Sequence, residues 1–470
     1  MEDIPGEGSA GARPDTSSLR EAAMRAAVLI KGRPRGTHWL LACDTDADGL
    51  CAAAVTARAL LRIGHRFTAR PSRAKDEAAY RAALAEPFQG IILLDKGTSH
   101  AALLAAAATP DRPVLVVDHH NPHGLTPDAP GFAMVNPRMC GLDGSRDASG
   151  ATTAVALALA LCGDEAWGWA SVGLSGAIGD WQQRPSWQGW NLEILERCRA
   201  DGTVAPVVQP RFIGADLAEA MARFRPPIPG LHGNPQAAWQ AVQAEGLNPT
   251  ADVEDLNPEE QARLVSMCAL RLLGAGEREA VARLVAPTDH NVRLGTSLRH
   301  VFRIVDACGR EGEPTTGIAY LMGDPSAKAE AMACLRRYKV ALVAGLRVLR
   351  EKGLDLRRAV GVAWTERADY TGMVAGVAMT VMLEDRVRPI AVLAKRPDGL
   401  VQVSTRGTEE QVRAGLDLGR ACQLAAAAVG KEGGGHPVAA GAVIGSADVE
   451  AFLGALDAAL VAQGFVKVAA

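Results

Sequence analysis

The sequence predicts an α/β fold, with a parallel sheet flanked by helices, a helical connector and a smaller C-terminal α/β domain. Between residues 38 and 180, short apolar runs alternate with Ala-rich stretches, as parallel strands alternate with helices. The candidate strands are HWLLAC at 38–43, IILL at 91–94 and VLVV at 114–117. A chain of 470 residues is long enough for two or three domains.

The later segments differ from the first in composition. Residues 181–260 are rich in Pro, Gly and Trp and are predicted to be an irregular connection, whereas residues 258–355 are predicted to be mainly helical. From residue 359 onward, AVGVAWTE, PIAVLAKR and GLVQVSTRG alternate like strands between Ala-rich helices. The predicted division is a disordered or helical extension at 1–35, a catalytic domain at 36–195, an irregular insertion and helical connector at 196–355, and a second α/β domain at 356–470.

Charge and cysteine usage restrict the class of protein. The formal net charge is -3, which argues against binding nucleic acid through overall basicity, so any polyanion site must be local. The nine cysteines form no Cys-x-x-Cys pair, as expected for reduced thiols in a cytoplasmic protein. The apolar run at 151–163 is shorter than the roughly 18 to 20 residues that span a bilayer, and it is predicted to be a buried helix.

The first motif with chemical meaning is DTDADG, which lies between a predicted strand and an apolar helix. Its carboxylates, Asp44, Asp46 and Asp48, alternate along the chain and form an oxygen-rich cluster that needs a counter-cation. A calcium loop is the alternative, and Gly49 does occupy its sixth position. That alternative also needs a glutamate at the twelfth position, where Val55 stands, so it is disfavoured.

More acidic and imidazole groups follow the other apolar runs. Asp95 follows the second strand, Asp118-His119-His120 follows the third, and Asp180 follows a later apolar segment. Functional groups in open α/β sheets gather beyond the carboxyl ends of the strands. Singly, each aspartate is more often a helix cap or a turn residue. Together they predict a metal site, and the many oxygen ligands favour Mn²⁺ or Mg²⁺.

A second set of candidate residues lies near the C-terminus. The run Gly433-Gly434-Gly435-His436 would let backbone N–H groups approach a phosphate or a base, although a Gly-rich run is more often a flexible loop. The run Ser404-Thr405-Arg406 carries a guanidinium that could bind a phosphate through two hydrogen bonds.

These motifs resemble those of a known family. DTDADG, LLDKG, VVDHHNP and GAIGD are similar, in order and spacing, to the four motifs of the DHH phosphoesterase superfamily. The Asp-x-Asp-x-Asp-Gly opening resembles its RecJ branch, whereas the oligoribonuclease and cyclic-dinucleotide branches usually begin with a histidine that would fall near Ala42. Further segments, among them NPRMCGLDGSRDASGATTAVALALAL, VSTRGTEEQ and KEGGGHPVAAGA, resemble archaeal RecJ-like nucleases, so that the resemblance covers about residues 38–470.

The resemblance implies a role for each candidate residue. His120 would face the scissile phosphate, Asp118 would be a further ligand or would orient a neighbour, and the GGGH run with Arg406 and Ser404 would contact the substrate. Two ions in such a centre clamp the attacking and leaving oxygens of an in-line displacement. The implied ligands of two Mn²⁺ or Mg²⁺ ions are Asp44, Asp46, Asp48, Asp95, His119 and Asp180.

Three functions are compatible with this pattern. The first is an exonuclease that hydrolyses single-stranded DNA or RNA in replication or repair, and the second is a phosphodiesterase for oligoribonucleotides, cyclic dinucleotides or phosphoadenosine phosphate. The third is a structural replisome subunit, like the inactive RecJ-like component of the eukaryotic replicative helicase. The resemblance to archaeal RecJ-like nucleases, some of which partner the GINS complex, implies GINS as a partner. The basic stretch at 328–358, with nine basic and three acidic residues, could follow a phosphate backbone or solvate a helix face.

Overall fold

The computed structural model describes residues 14–122, 124, 127–212, 216–379 and 387–465. It divides into two compact units: the first comprises Met1–Gln209 and Ala286–Arg336, and the second comprises Pro210–Val285 and Arg337–Ala470. Residues 1–13 of the predicted N-terminal extension lie outside the described residues, and Ser17–Lys31 of that extension form a helix. The domain boundaries expected from the sequence stay a prediction.

The first unit contains the predicted parallel sheet. The sheet has the order β2-β1-β3-β4-β5, and every neighbouring pair of strands is parallel. The two central strands β1 and β3 are buried almost throughout, which explains their nearly continuous apolar sequences. The first elements of the chain are α1 (Ser17–Lys31), β1 (His38–Cys43), α2 (Ala47–Arg62), β2 (Arg66–Pro71), α3 (Glu77–Ala85), β3 (Gly90–Leu94), α4 (Ala101–Ala107), β4 (Val114–Val117) and β5 (Phe132–Val135).

Two strands of this sheet were not expected. Strand β2 has the sequence RFTARP and is only partly buried at the sheet edge, so it lacks the apolar run by which a buried strand is recognised. Strand β5 is a four-residue strand at the opposite edge. Edge strands bury only part of their surface, and their sequences therefore carry a weak strand signal.

The middle of the chain is mostly helical. Two apolar helices, α5 and α6, pack against α2 and are buried over most of their length. A small sheet of order β6-β7-β8 follows them. The elements are α5 (Gly150–Cys162), α6 (Trp167–Gly179), α7 (Gly189–Ala200), β6 (Val204–Pro210), α8 (Leu217–Arg223), α9 (Pro235–Ala244), α10 (Pro258–Gly274), α11 (Arg278–Val281), β7 (Val285–Asn291), β8 (Thr296–Ser297), α12 (Leu298–Arg310), α13 (Pro314–Met322) and α14 (Pro325–Lys352).

The segment expected to be irregular, residues 181–260, contains regular structure instead. Helices α8 and α9 lie in it, and with α10 and α11 they surround a hydrophobic core of their own. The Pro and Gly residues that suggested irregularity lie at helix ends and in short connections: Pro235 occupies the first turn of α9, and Gly246 follows that helix with a left-handed backbone.

The second unit contains a separate mixed sheet. Its order is β13-β14-β12-β11-β10-β9, in which β10 and β11 are parallel and the other pairs are antiparallel. Helices α17 and α18 contribute buried side chains to the same hydrophobic core as this sheet. The elements are β9 (Asp355–Leu356), β10 (Gly361–Trp364), α15 (Thr371–Val377), β11 (Ile390–Lys395), β12 (Leu400–Arg406), α16 (Glu409–Arg413), α17 (Leu418–Ala427), β13 (Gly433–His436), β14 (Ala439–Gly445) and α18 (Val449–Ala462).

The predicted fold class is confirmed: an N-terminal parallel sheet with helices is followed by helices and by a C-terminal α/β region with its own sheet. No helix within the described residues is long and apolar enough to cross a membrane.

A close approach between α12 and the DTDADG loop gives a test of the packing in the first unit. A Cβ atom added at Gly309 would lie 1.7 Å from the carbonyl oxygen of Thr45, a backbone atom that cannot rotate away. We expect Gly309→Ala to lower the free energy of unfolding by about 1–3 kcal/mol, as overpacking does. Urea denaturation measures the change.

The matched control is Gly168→Ala in helix α6. A Cβ atom at Gly168 would have no neighbour within 4 Å in the described part of the chain, so the free energy of unfolding should stay the same or rise slightly. Equal stability of the two variants would contradict the packing described for α12.

Candidate metal centre

The carboxyl edge of the parallel sheet carries three aspartates side by side. Asp44, Asp95 and Asp118 directly follow β1, β3 and β4, which are neighbours in the sheet. The amide N–H of Asp95 donates to the Val117 carbonyl at 2.9 Å, and that of Asp118 donates to the Val135 carbonyl at 3.1 Å. The strand pairing therefore continues into the site and fixes the spacing of the carboxylates.

The DTDADG motif turns from β1 into helix α2. Asp46 is the N-cap of that helix, and its carboxylate accepts a hydrogen bond from the Gly49 N–H at 3.0 Å. A Cβ atom at Gly49 would lie 2.7 Å from the carbonyl oxygen of Asp44, so only glycine permits this turn. The motif thus places Asp44 and Asp46 beside the sheet edge through ordinary capping geometry.

Asp48 is buried and is held by the N-terminus of helix α5. Its carboxylate accepts hydrogen bonds from the Ser149 hydroxyl at 2.6 Å, the Gly150 N–H at 2.6 Å and the Ala151 N–H at 3.1 Å. A Cβ atom at Gly150 would lie 2.8 Å from Asp95 Oδ1, so glycine lets the helix approach both carboxylates. The free N–H groups and the dipole of α5 stabilise this negative charge.

His119 lies at the centre of the acidic residues. Its Nε2 atom is 3.2 Å from Asp95 Oδ1, 3.3 Å from Asp180 Oδ2 and 3.8 Å from Asp48 Oδ2. Its Nδ1 atom is 2.5 Å from the Gly144 carbonyl oxygen, to which it donates. That hydrogen bond fixes the ring and directs Nε2 toward the carboxylates, as in metal-ligating histidines.

Asp95 meets the chemical requirements of a metal ligand. Its Oδ1 atom is buried and has no well-aligned hydrogen-bond donor within the described residues. Its backbone has a φ of 59°, a left-handed conformation that is uncommon outside glycine and is found preferentially at functional sites. An unsatisfied buried oxygen, an imidazole nitrogen and further carboxylates around one point fit a divalent cation.

The electrostatics of the site agree with this geometry. Burial and the charges of Asp46 and Asp48 raise the pKa of Asp95 well above its usual range. Burial lowers the pKa of His119, but its close contact with Asp95 and the charges of the surrounding carboxylates raise it well above the ordinary value of 6.5. A proton on His119 therefore offsets part of the negative charge when no metal is bound, and a divalent cation would replace it.

Asp118 contacts backbone and imidazole groups. It accepts hydrogen bonds from the Thr98 N–H at 3.0 Å and the His119 N–H at 2.8 Å, and its Oδ1 atom is 2.7 Å from His120 Nδ1. Burial raises the pKa of Asp118, but the hydrogen bond to His120 and the charges of both histidines lower it below its usual range overall. These contacts position His120.

The structure brings all eight N-terminal candidate residues together. They form three groups in which one possible ligand atom from each member lies within 4.8 Å of the others. Asp95 and His119 each belong to two groups and join the three into one site. The groups are Asp95 with Asp118, His119 and His120; Asp48 with His119 and Asp180; and Asp44 with Asp46 and Asp95.

Two lysines near the site were not identified from the sequence. Lys75 Nζ lies 2.5 Å from Asp44 Oδ2 and neutralises part of the cluster. Lys96 is buried and donates to the Ser72 carbonyl at 2.6 Å and to the Ala74 carbonyl at 3.3 Å, which holds the loop that carries Lys75. Lys75 follows strand β2, which was not expected from the sequence. The position of Lys75 near Asp44 becomes evident only once β2 is known to lie beside β1. Lys96 directly follows Asp95, so a signal for it was available.

The C-terminal candidate residues lie on one sheet. Ser404 and Arg406 belong to β12, and β14 separates them from the GGGH run. That run was expected to be a loop, but it forms β13 instead. Glycine is needed there, because Gly435 has a φ of 146° and a Cβ atom would lie 2.5 Å from the Ala439 carbonyl oxygen. The Ser404 hydroxyl is hydrogen-bonded to that of Thr371 at 2.8 Å.

Two segments of the chain match known protein families. Residues 40–171 match the family described as "DHH family, N-terminal domain", and residues 359–462 match the "DHHA1 domain". The two matches lie in the expected order and together span about half of the chain. The protein is therefore a phosphoesterase-type α/β protein, and it belongs to the DHH superfamily, with a RecJ-like fold.

Solved structures and a sequence relative agree with this assignment. RecJ from Thermus thermophilus, solved with Mn²⁺, superposes with a TM-score of 0.59 at 19% identity; the match covers 95% of this chain and 55% of that chain, so this protein spans about half the length of that RecJ. CDC45 from Entamoeba histolytica superposes with a TM-score of 0.61 at 10% identity, and the match covers 94% of this chain and 99% of that CDC45 chain. An uncharacterized protein of Methanocaldococcus jannaschii is 26% identical over 352 residues, 73% of this chain and 74% of its own.

The raised pKa values make the stability of the metal-free protein depend on pH. The free-energy cost of ionising Asp95 grows as the pH rises above 3.8, the ordinary pKa of an aspartate. The stabilisation by protonated His119 is lost as the pH rises above 6.5, the ordinary pKa of a histidine. Both effects lower the free energy of unfolding as the pH rises. We expect the melting temperature in EDTA to fall between about pH 6 and pH 9, as calorimetry can measure.

The variant Asp95→Asn is the matched comparison, because asparagine tolerates a left-handed backbone and removes the charge. Its melting temperature should fall less with pH. It should also rise less than that of the natural protein when Mn²⁺ is added, since a ligand stabilises only the state that binds it. An unchanged pH slope together with an unchanged response to Mn²⁺ would contradict the role given to Asp95.

Proposed function

We propose that this protein is a Mn²⁺- or Mg²⁺-dependent exonuclease that hydrolyses phosphodiester bonds of single-stranded DNA or RNA. One observation carries the proposal: His119 Nε2 lies within 3.8 Å of carboxylates from three separate segments, Asp48, Asp95 and Asp180. Membership of a phosphoesterase superfamily supports the reaction class. The likeness to manganese-bound RecJ structures supports the choice of metal and of nucleic acid.

The three groups of ligand atoms would hold two ions, with Asp95 able to contribute to both. Bound ions would supply Lewis acidity and would clamp the oxygens of an in-line displacement. The chain itself supplies orientation: α5 holds the Asp48 carboxylate, and the Gly144 carbonyl holds the His119 ring. Ligands fixed in this way lose little freedom when a cation binds.

His120 is suited to act on the substrate. Its Nδ1 atom is engaged by Asp118, so Nε2 is the nitrogen left to contact a phosphate or to protonate a leaving oxygen. The side chain is partly exposed, whereas Asp118 beside it is buried. We assign Asp118 the positioning of His120.

Residues of the second unit would bind the substrate strand. Arg406 and Ser404 lie on β12, and the GGGH run lies on β13 of the same sheet; the Arg406 guanidinium would bind a phosphate, and His436 would add a donor. Their grouping on one sheet supports a shared role in substrate binding.

The basic stretch at 328–358 contributes less to this proposal than its sequence suggested. Lys339 Nζ lies 3.4 Å from Asp252 and 2.8 Å from Asp255, and Arg347 lies 3.8 Å from Glu351. Helix α14 ends at Lys352, before the last two arginines of the stretch. The ion pairs of Lys339 with Asp252 and Asp255 favour a structural role for this lysine. The ion pair of Arg347 with Glu351 on the same helix favours a position on a solvated helix face.

A second candidate function is a structural role in a replisome, alone or combined with catalysis, and the likeness to CDC45 is the observation that favours it. Under this proposal the chain would bind GINS. A pull-down with purified GINS tests it, and recovery of no complex would remove the partner without affecting the nuclease proposal.

The nuclease proposal is tested by removing metal ligands. We expect Asp46→Ala and His119→Ala to lose more than about 100-fold in hydrolysis of end-labelled single strands with Mn²⁺, because each removes a ligand from the centre. Undiminished degradation by both variants would contradict the nuclease proposal.

Matched controls are Asp111→Asn and His232→Ala, which change exposed residues outside the three groups and should keep full activity. A time course on 5′- and 3′-labelled DNA and RNA of different lengths identifies polarity and sugar preference. Hydrolysis confined to oligonucleotides of a few residues, with none of long strands, would favour the small-substrate phosphodiesterase instead.

A further inference from the structure

An exposed tryptophan directly follows one of the candidate metal ligands. Trp181 is the neighbour of Asp180 at the end of helix α6, and 55% of its surface is exposed. Trp39 and Trp190 of the same unit are fully buried. Trp181 is the most exposed tryptophan within the described residues, so its ring is accessible to a ligand beside the metal centre.

The backbone of Trp181 is held in an unfavourable conformation. Its φ is 62°, and within the described residues the only other non-glycine position with a positive φ is Asp95. A bulky side chain in the left-handed region is a genuine outlier, and such strain persists where the surroundings enforce it, typically at functional sites. Both strained positions in the described chain belong to the neighbourhood of the same centre.

The turn that carries Trp181 is fixed to the metal site. The buried side chain of Gln182 donates to the Gly144 carbonyl at 3.0 Å, and the same carbonyl accepts the hydrogen bond from His119 Nδ1. The Trp181 N–H donates to the Ile178 carbonyl at 3.1 Å. One carbonyl therefore orients the central histidine and anchors the residue after Trp181, which couples the position of the indole to that of the ligands.

A planar cation lies against the indole. The guanidinium carbon of Arg184 is 4.1 Å from the centre of the Trp181 ring, a cation–π contact. This contact restricts the ring while more than half of the residue stays open to solvent. A restrained, exposed aromatic face next to a cation is how proteins that bind single strands hold unpaired bases, since every base offers a face for stacking.

We propose that Trp181 is a substrate-binding residue that stacks on an unpaired nucleobase next to the scissile phosphodiester. The inference rests on the proposed function and deepens it, because it names the single-stranded polynucleotide as the substrate class. Stacking tolerates any sequence, so it suits an enzyme that advances along a strand. A duplex offers no such base, since its bases are already stacked.

Binding measurements test the role of Trp181 without relying on hydrolysis. The probe is a fluorescein-labelled phosphorothioate oligothymidylate with Mn²⁺, and the readout is anisotropy. We expect Trp181→Ala and Trp181→Gly to weaken binding by about 5- to 150-fold, the range for loss of one stacked base. Trp181→Phe should keep most of the affinity.

Two controls separate stacking from loss of structure. Trp239→Ala removes another exposed tryptophan, 40% exposed on α9, and should bind the strand as the natural protein does. Trp181→Gly relieves the left-handed strain, so its melting temperature should equal or exceed that of the natural protein although its binding is weaker.

A strand with one abasic position supplies the decisive comparison. Moving the abasic position along the strand should weaken binding to the natural protein at one location, and Trp181→Ala should show no such additional loss there. Equal affinity of Trp181→Ala and the natural protein, or no strand binding by either, overturns the proposal. Failure of the nuclease proposal is seen separately, as strand binding that depends on Trp181 without any hydrolysis in Mn²⁺.

Discussion

Repulsion among closely spaced carboxylates is the constraint on which the site depends. Asp44, Asp95 and Asp118 cannot move apart, because the hydrogen bonds of a parallel sheet set their spacing. Asp48 and Asp180 approach the same point from two helices. Such a cluster is stable only with compensating positive charge, and a pair of divalent cations would supply it most directly.

The chain offsets part of this repulsion itself. The N-terminus of α5 stabilises Asp48, Lys75 pairs with Asp44, and the raised pKa of His119 keeps a proton among the carboxylates. These contacts allow the metal-free protein to fold, while a buried oxygen of Asp95 is left without a well-aligned donor among the described residues. Compensation is incomplete at the point where a cation would bind, so folding and metal binding are linked through the same groups.

The fold class could be predicted from the sequence, and the eight N-terminal candidate residues that the sequence singled out lie together in the structure. The inner strands are buried and have unbroken apolar sequences, and Asp44, Asp95 and Asp118 directly follow them. Strand β2 and Lys75 were missed because a partly buried edge strand carries no such run. The GGGH run was expected to be a loop because glycine is a weak strand former, yet it pairs in a hairpin with the adjacent strand β14. The strain at Trp181 is a property of the backbone that composition does not reveal.

Electron paramagnetic resonance of the Mn²⁺-loaded protein tests the central claim most directly, because it reports on the ions themselves. A centre built by Asp95 and His119 as shared members of adjoining ligand groups should give the spectrum of two magnetically coupled ions. His119→Ala should abolish that spectrum. Uncoupled single-ion signals in the natural protein, or a coupled spectrum that survives in His119→Ala, would contradict the account.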